Sequence, residues 1–145
     1  MQLTTNFNLS TLTISKTANQ FGIDNTPSDE VIGNLKSLCE NVLEPLQALL
    51  GESIYITSGY RSKELNKKIG GAKKSQHMEG KAADIHVNSK STEELFVFIK
   101  KNFIGFDQLI QEFDSWVHIS YDGMNNRNMD LRAIKENGKT KYLPA

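Results

Sequence analysis

The chain has 145 residues, enough for one domain with a modest core and too few for two. Hydrophobic residues make up 38% and charged residues 23%, with 3 prolines, which excludes a disordered polar chain, a collagen-like repeat and a membrane-spanning protein. Seventeen basic residues balance seventeen acidic ones, so no net field favours nucleic acid or an anionic membrane, and the single cysteine, Cys39, excludes an internal disulfide and a cysteine-rich zinc finger.

Residues 1–10 have neither a basic start nor an apolar run of the length an export leader needs, so a soluble product made in the cytoplasm is expected. Residues 1–25, rich in Thr, Ser and Asn, predict an extended segment with one short helical turn that docks on the domain. Thr26 as cap and Pro27 at the first helical position open a long helix. Its apolar residues, from Val31 and Ile32 through Leu35, Leu38, Cys39, Val42, Leu43 and Leu46 to Leu50, recur at spacings of three and four over roughly six turns. Pro45 bends or splits it, and Gly51 ends it. Ile54–Thr57 predicts a strand running into Ser58-Gly59, and Ser62–Lys68 a short helix stopped by Gly70-Gly71. A loop leads to His77, and 82–87 form a second strand. Ser91 to Glu94 open a helix that ends near 102–105. Phe106–Phe113 and Trp116–Tyr121 predict a hairpin around Asp114-Ser115. Residues 122–145 predict a polar tail with one short strand near Leu131–Ile134. The class is α+β, a single domain over 1–145 with a small, mostly antiparallel sheet and helices packed on one side.

Three segments carry chemistry: Ser58-Gly59-Tyr60-Arg61-Ser62, the run from Ser75 and His77 to Asp84, and Trp116–Ser120. With one cysteine, a metal site must use His, Asp and Glu, and the chain has three histidines, His77, His86 and His118. A catalytic zinc takes three protein ligands and keeps a fourth position open, which two histidines and a carboxylate suit. Gly80 lets the chain double back between His77 and Asp84, while His118 comes from another strand.

The pattern Ser-x-His-x-x-Gly-x-Ala-x-Asp at 75–84 resembles that of the zinc D-alanyl-D-alanine carboxypeptidase family. This family also holds D-Ala-D-Ala dipeptidases and phage L-alanyl-D-glutamate endopeptidases. Further matches are Ser58–Ser62, Asn66, Ile69–Ala72, Phe106–Ile110 and His118–Ser120, so that the resemblance covers about 20–121 of the chain. It implies the small α+β fold shared with the Hedgehog signalling domain, a zinc cofactor held by His77, Asp84 and His118, and peptidase activity on peptidoglycan stem peptides. Arg61 is implied as the substrate-side arginine that supports the polarised carbonyl or anchors a carboxylate. Ser75 matches a residue that positions substrate, with an ordinary loop hydroxyl as the alternative.

One position departs from the family. Its members often carry Glu or Asp three residues before the last ligand as general base, and here that residue is Ser115. Glu112 and Asp114 lie nearby. An odd-numbered loop over 113–115 would turn Glu112 to the side of His118, which makes it the preferred base, with Asp114 the alternative. His86, two residues after Asp84, shares its face as a fourth ligand, a supporting group, a substrate donor or a rim histidine. Trp116 shares a face with His118, as pocket wall or as core. The lysines at 63, 67, 68, 73, 74 and 81 form a solvated, locally basic face without the interleaved aromatics of a nucleic-acid surface.

The expected partner is a peptidoglycan peptide, with no nucleic acid, no membrane and a monomeric chain. Carboxypeptidase and endopeptidase specificities both suit the pattern, and so do a host enzyme and a phage endolysin acting on the cell wall. Two other classes compete: a non-catalytic, zinc-stabilised module that binds cell wall or protein, favoured by Ser115, and a metal-free structural domain of a phage particle.

Overall fold

A computed structural model describes residues 1–145. The N-terminal segment is more helical than expected. It forms two short helices, α1 (Leu9–Thr13) and α2 (Lys16–Phe21), because Asn8 and Ser15 each offer a side-chain oxygen to an otherwise unpaired amide, of Thr11 and Ala18. The long helix starts two residues later than expected. Pro27 falls before the cap, and Ser28 accepts from the Val31 amide to open α3 (Asp29–Leu38). Pro45 neither breaks the helix nor ends it. A π turn over Cys39–Leu43, closed by the Glu44 amide on the Cys39 carbonyl, precedes α4 (Glu44–Leu50). The wider turn relieves the clash and lost hydrogen bond that a proline brings to regular α-helix. Gly51, with φ of 71°, caps it in the left-handed conformation.

Strand β1 (Tyr55–Ser58), helix α5 (Lys63–Lys68), a 3₁₀ turn (Gln76–Glu79), strand β2 (Ala82–His86) and helix α6 (Thr92–Asn102) follow. Ser91 and Glu94 start α6 with a reciprocal capping box. Then come β3 (Gln108–Glu112), β4 (Trp116–Ser120), β5 (Met129–Glu136) and β6 (Lys139–Pro144). The last two replace the expected polar tail with its single short strand. Asn137 and Gly138, at φ of 53° and 75°, form the tight turn that joins them into a hairpin.

The six strands make one sheet in the order β1-β2-β4-β3-β5-β6, antiparallel throughout except for β3 beside β5. Its odd-numbered positions on β2 and β4 (Ala83, Ile85, Val117, Ile119) join Leu109 against Leu35, Leu38, Val42, Leu43, Leu95, Phe96 and Ile99 of the helices. The expectation of an α+β domain with helices on one side of a mostly antiparallel sheet holds. The alternate positions, Asp84, His118, Ile110 and Glu112, face the other way.

The crossover from β4 to β5 is pinned by Asp107, whose carboxylate accepts from Arg127 Nε at 2.7 Å and Nη2 at 2.9 Å, and from Gln76 Nε2 at 2.8 Å. No helix is long and apolar enough to cross a membrane.

Two features of the core have measurable consequences. The Cys39 thiol has no solvent exposure, and burial, reinforced by the charge of Glu44, pushes its pKa up to about 12. It should not react with a disulfide reagent in the native protein and should react fully in denaturant. Native reactivity at the rate of a free thiol would contradict this packing. At Gly59 the backbone lies so close to α1 that a Cβ would sit 2.2 Å from the Leu12 carbonyl oxygen, which accepts from the Tyr60 amide. Gly59→Ala is expected to cost roughly 1–3 kcal/mol by overpacking, visible as a melting point several degrees lower. An unchanged melting point would count against the docking of α1 at this turn.

Candidate metal centre

The segment after β1 begins the site. The pairing of β1 with β2 shifts register between Ile56 and Ser58, so that Ser58 lies opposite Asp84. The chain then turns through Gly59, and the Arg61 amide donates to the His77 carbonyl at 3.1 Å. His77 sits in the 3₁₀ turn, where Ser75 Oγ accepts from its amide. Gly80 ends that turn with φ of 72° and packs on Val31 so closely that a side chain would collide with it. Asp84 on β2 and His118 on β4 are direct cross-strand partners.

These three residues converge. His77, Asp84 and His118 are 3%, 2% and 7% exposed, and their ligand atoms all lie within 4.8 Å of one another. His77 Nε2 is 3.2 Å and His118 Nδ1 is 3.1 Å from the same oxygen, Asp84 Oδ1. Ligands 2.0–2.2 Å from a tetrahedral ion lie about 3.3–3.6 Å apart, so one zinc ion fits with small adjustments. The proton inventory points the same way. His77 Nδ1 is 2.7 Å from the Gly59 carbonyl oxygen, which can only accept, so Nδ1 carries the hydrogen. In neutral His77 the Nε2 lone pair then faces a carboxylate oxygen, an arrangement that a cation between them satisfies. A proton is disfavoured there, because burial holds the His77 pKa below the ordinary imidazole value in spite of Asp84.

Burial would raise the Asp84 carboxyl, but the two histidines outweigh it and hold it well below the usual range. Burial would lower His118, and the hydrogen bond and charge of Asp84, with Glu112, raise it instead.

Arg61 lies behind the ligands. Its guanidinium reaches Ser58 Oγ at 3.1 Å through Nε, Asn66 Oδ1 at 3.1 Å through Nη1, and Asp84 Oδ2 at 3.4 Å through Nη2. It therefore holds the outer oxygen of Asp84 and leaves Oδ1 for an ion, the arrangement by which a neighbour orients a metal ligand. Asn66, buried, is fixed in turn by the Ala72 carbonyl.

The loop Phe113–Ser115 is a three-residue turn between Glu112 and Trp116, with Phe113 and Asp114 at positive φ. It turns Glu112 to the side of His118, with Oε1 3.6 Å from His118 Nδ1. Burial raises the Glu112 pKa, opposed by the charge of His118 and aided by that of Asp84. Asp114 faces elsewhere. Its carboxylate accepts from Gln111 Nε2, which also donates to Glu93 of α6, so it lies toward the helices and away from the ligands. Ser115 is exposed; its hydroxyl donates to the Phe113 carbonyl and its amide to that of Glu112.

The remaining predicted residues surround the centre without joining it. Ser75 is occupied in capping the His77 turn. His86 is exposed and stacks on Tyr55, with ring centroids 5.3 Å apart. Trp116 stands beside Glu112 on the open face, edge-on to Phe113, and its enclosed indole Nε1 has no hydrogen-bond partner. Tyr142 of β6 reaches this face too and was missed with the rest of the terminal hairpin. The Asn137-Gly138 dipeptide is the signal that marks it.

A family model described as Peptidase M15 matches residues 5–120. A search of curated proteins finds no match.

Proposed function

Because the chain belongs to the Peptidase M15 family, whose members are zinc-dependent metallopeptidases, we propose that it hydrolyses an amide bond in the stem peptides of peptidoglycan, as a D-Ala-D-Ala carboxypeptidase or an L-Ala-D-Glu endopeptidase. The observation that carries this reading is the buried convergence of His77 Nε2, Asp84 Oδ1 and His118 Nδ1 with a second carboxylate, Glu112, on the open side of the sheet. Zinc held by these three atoms would supply an acidified water and a Lewis acid for the scissile carbonyl.

The chain's own residues supply the rest. Gly59 fixes the tautomer of His77, and Arg61 fixes the rotamer of Asp84, so the donor atoms are set before any ligand arrives. Glu112 is the group placed to accept the proton of the attacking water and return it to the leaving amine. Burial raises its pKa, the direction that favours its holding that proton. Three residues toward the N-terminus of His118, Ser115 has no such chemistry. The three-residue turn puts the carboxylate on the adjacent strand instead.

The test is digestion of purified peptidoglycan by the zinc-loaded protein, with the new amino and carboxyl termini identified by mass spectrometry. Release of D-alanine or cleavage after L-alanine supports the reading and separates its two forms. No cleavage by a protein that holds zinc would overturn it in favour of a binding module.

A further inference from the structure

The hairpin β5–β6 brings to the site a side chain that lies beyond the matched residues 5–120. Glu112 pairs with Ala133, and Ala133 with Tyr142, so the three form one row across β3, β5 and β6. Residues in such a row point to the same face. The neighbour of Ala133, Arg132, points the other way, to Phe96 and Glu93 of α6. Tyr142 therefore stands on the face of Glu112, Asp84 and His118.

Two strand spacings, about 10 Å, separate the Cα atoms of Glu112 and Tyr142, and only a methyl group lies between them. Ala133 is 1% exposed on a face away from the helices. Tyr142 keeps half its surface in solvent. Burial of the remainder, then the charges of Glu112 and Asp84, hold the proton on its phenol. The group is a protonated donor at the rim, within the field of both carboxylates.

Of the other donors on this face, the Trp116 indole N–H is enclosed beside Glu112. Arg61 is engaged by Ser58, Asn66 and Asp84, and His86 is stacked on Tyr55. Resting on the peptidase reading, we propose that Tyr142 contacts the substrate: its phenol O–H donates a hydrogen bond to the carbonyl oxygen of the amide being cleaved. It thereby supports the oxyanion that develops there.

The experiment compares full-length wild type with Tyr142→Phe, which removes one oxygen and keeps the ring. Zinc content and melting point should be unchanged. On soluble peptidoglycan fragments kcat should fall about 10- to 100-fold with KM unchanged. Wild-type kcat in the variant overturns the proposal. A second readout needs no turnover: acetohydroxamate titrated into cobalt-loaded protein and followed in the visible spectrum should bind about 10-fold more weakly to the variant. Equal affinities overturn the role of Tyr142 whether or not peptidoglycan is cleaved. Weaker binding to the variant in a protein that cleaves none supports the contact and overturns only the peptidase reading. Failure of the wild type to bind cobalt or zinc overturns both.

Discussion

His118→Ala should remove both the metal and the activity. Purified wild type is expected to hold close to one zinc per chain by elemental mass spectrometry, and the variant none after dialysis. Loss of a neighbour that merely orients a ligand costs 10- to 100-fold in affinity, and loss of one of three ligands should exceed about 100-fold. His77→Ala should behave alike, and it also strands the Gly59 carbonyl that His77 now satisfies. Uptake by the metal-free protein should depend on pH in a stated direction. The His118 pKa is raised, so its proton must be displaced at pH values somewhat above the ordinary imidazole range, and affinity should rise as pH rises through that point. Asp84, held low, stays ionised throughout and contributes no such limb. Wild type that takes up no zinc, even from excess metal, would leave the metal-free structural domain as the better account. A variant that keeps its zinc would dismantle the three-ligand centre.

Glu112→Gln should separate binding from turnover. The amide keeps the shape of the side chain and cannot accept a proton, so zinc should be retained while kcat falls about 10²- to 10⁴-fold, the usual contribution of a general base. Asp114→Asn is the control. Its carboxylate lies against Gln111 on the side of α6, so activity within about twofold of wild type is expected at this partly exposed turn. Full activity in Glu112→Gln together with loss in Asp114→Asn would reverse the assignment. Such a result would require the Phe113–Ser115 turn to adopt a different conformation when substrate binds. Zinc-loaded wild type with no activity to lose would favour the binding module.

How much of this was legible in the sequence varies with the range of the interaction. The long helix, the capped start of α6 and the 75–84 motif are written in neighbouring residues, because capping, periodicity and a glycine turn act within a few positions. The conformation at 113–115 could be anticipated only as a conditional, since one residue more or less in the loop exchanges the faces of Glu112 and its neighbours. Pro45 signalled a disturbance without its form, because a π turn and a break both accommodate a proline. The terminal hairpin carried a local signal, Asn137-Gly138, among polar residues with little apolar alternation around them.

By itself, then, the sequence determined the α+β class, the two histidines and the aspartate suited to zinc, and the absence of an acid at Ser115. Only the tertiary structure decided that Arg61 reaches the outer oxygen of Asp84, that Asp114 faces the helices, and that Tyr142 joins the face of Glu112. The physical reason is that alternation along a strand states which side chains share a face but not which strands are neighbours. Strand order β2-β4-β3-β5-β6 arises from contacts between residues far apart in the chain, and the site lies across those pairings.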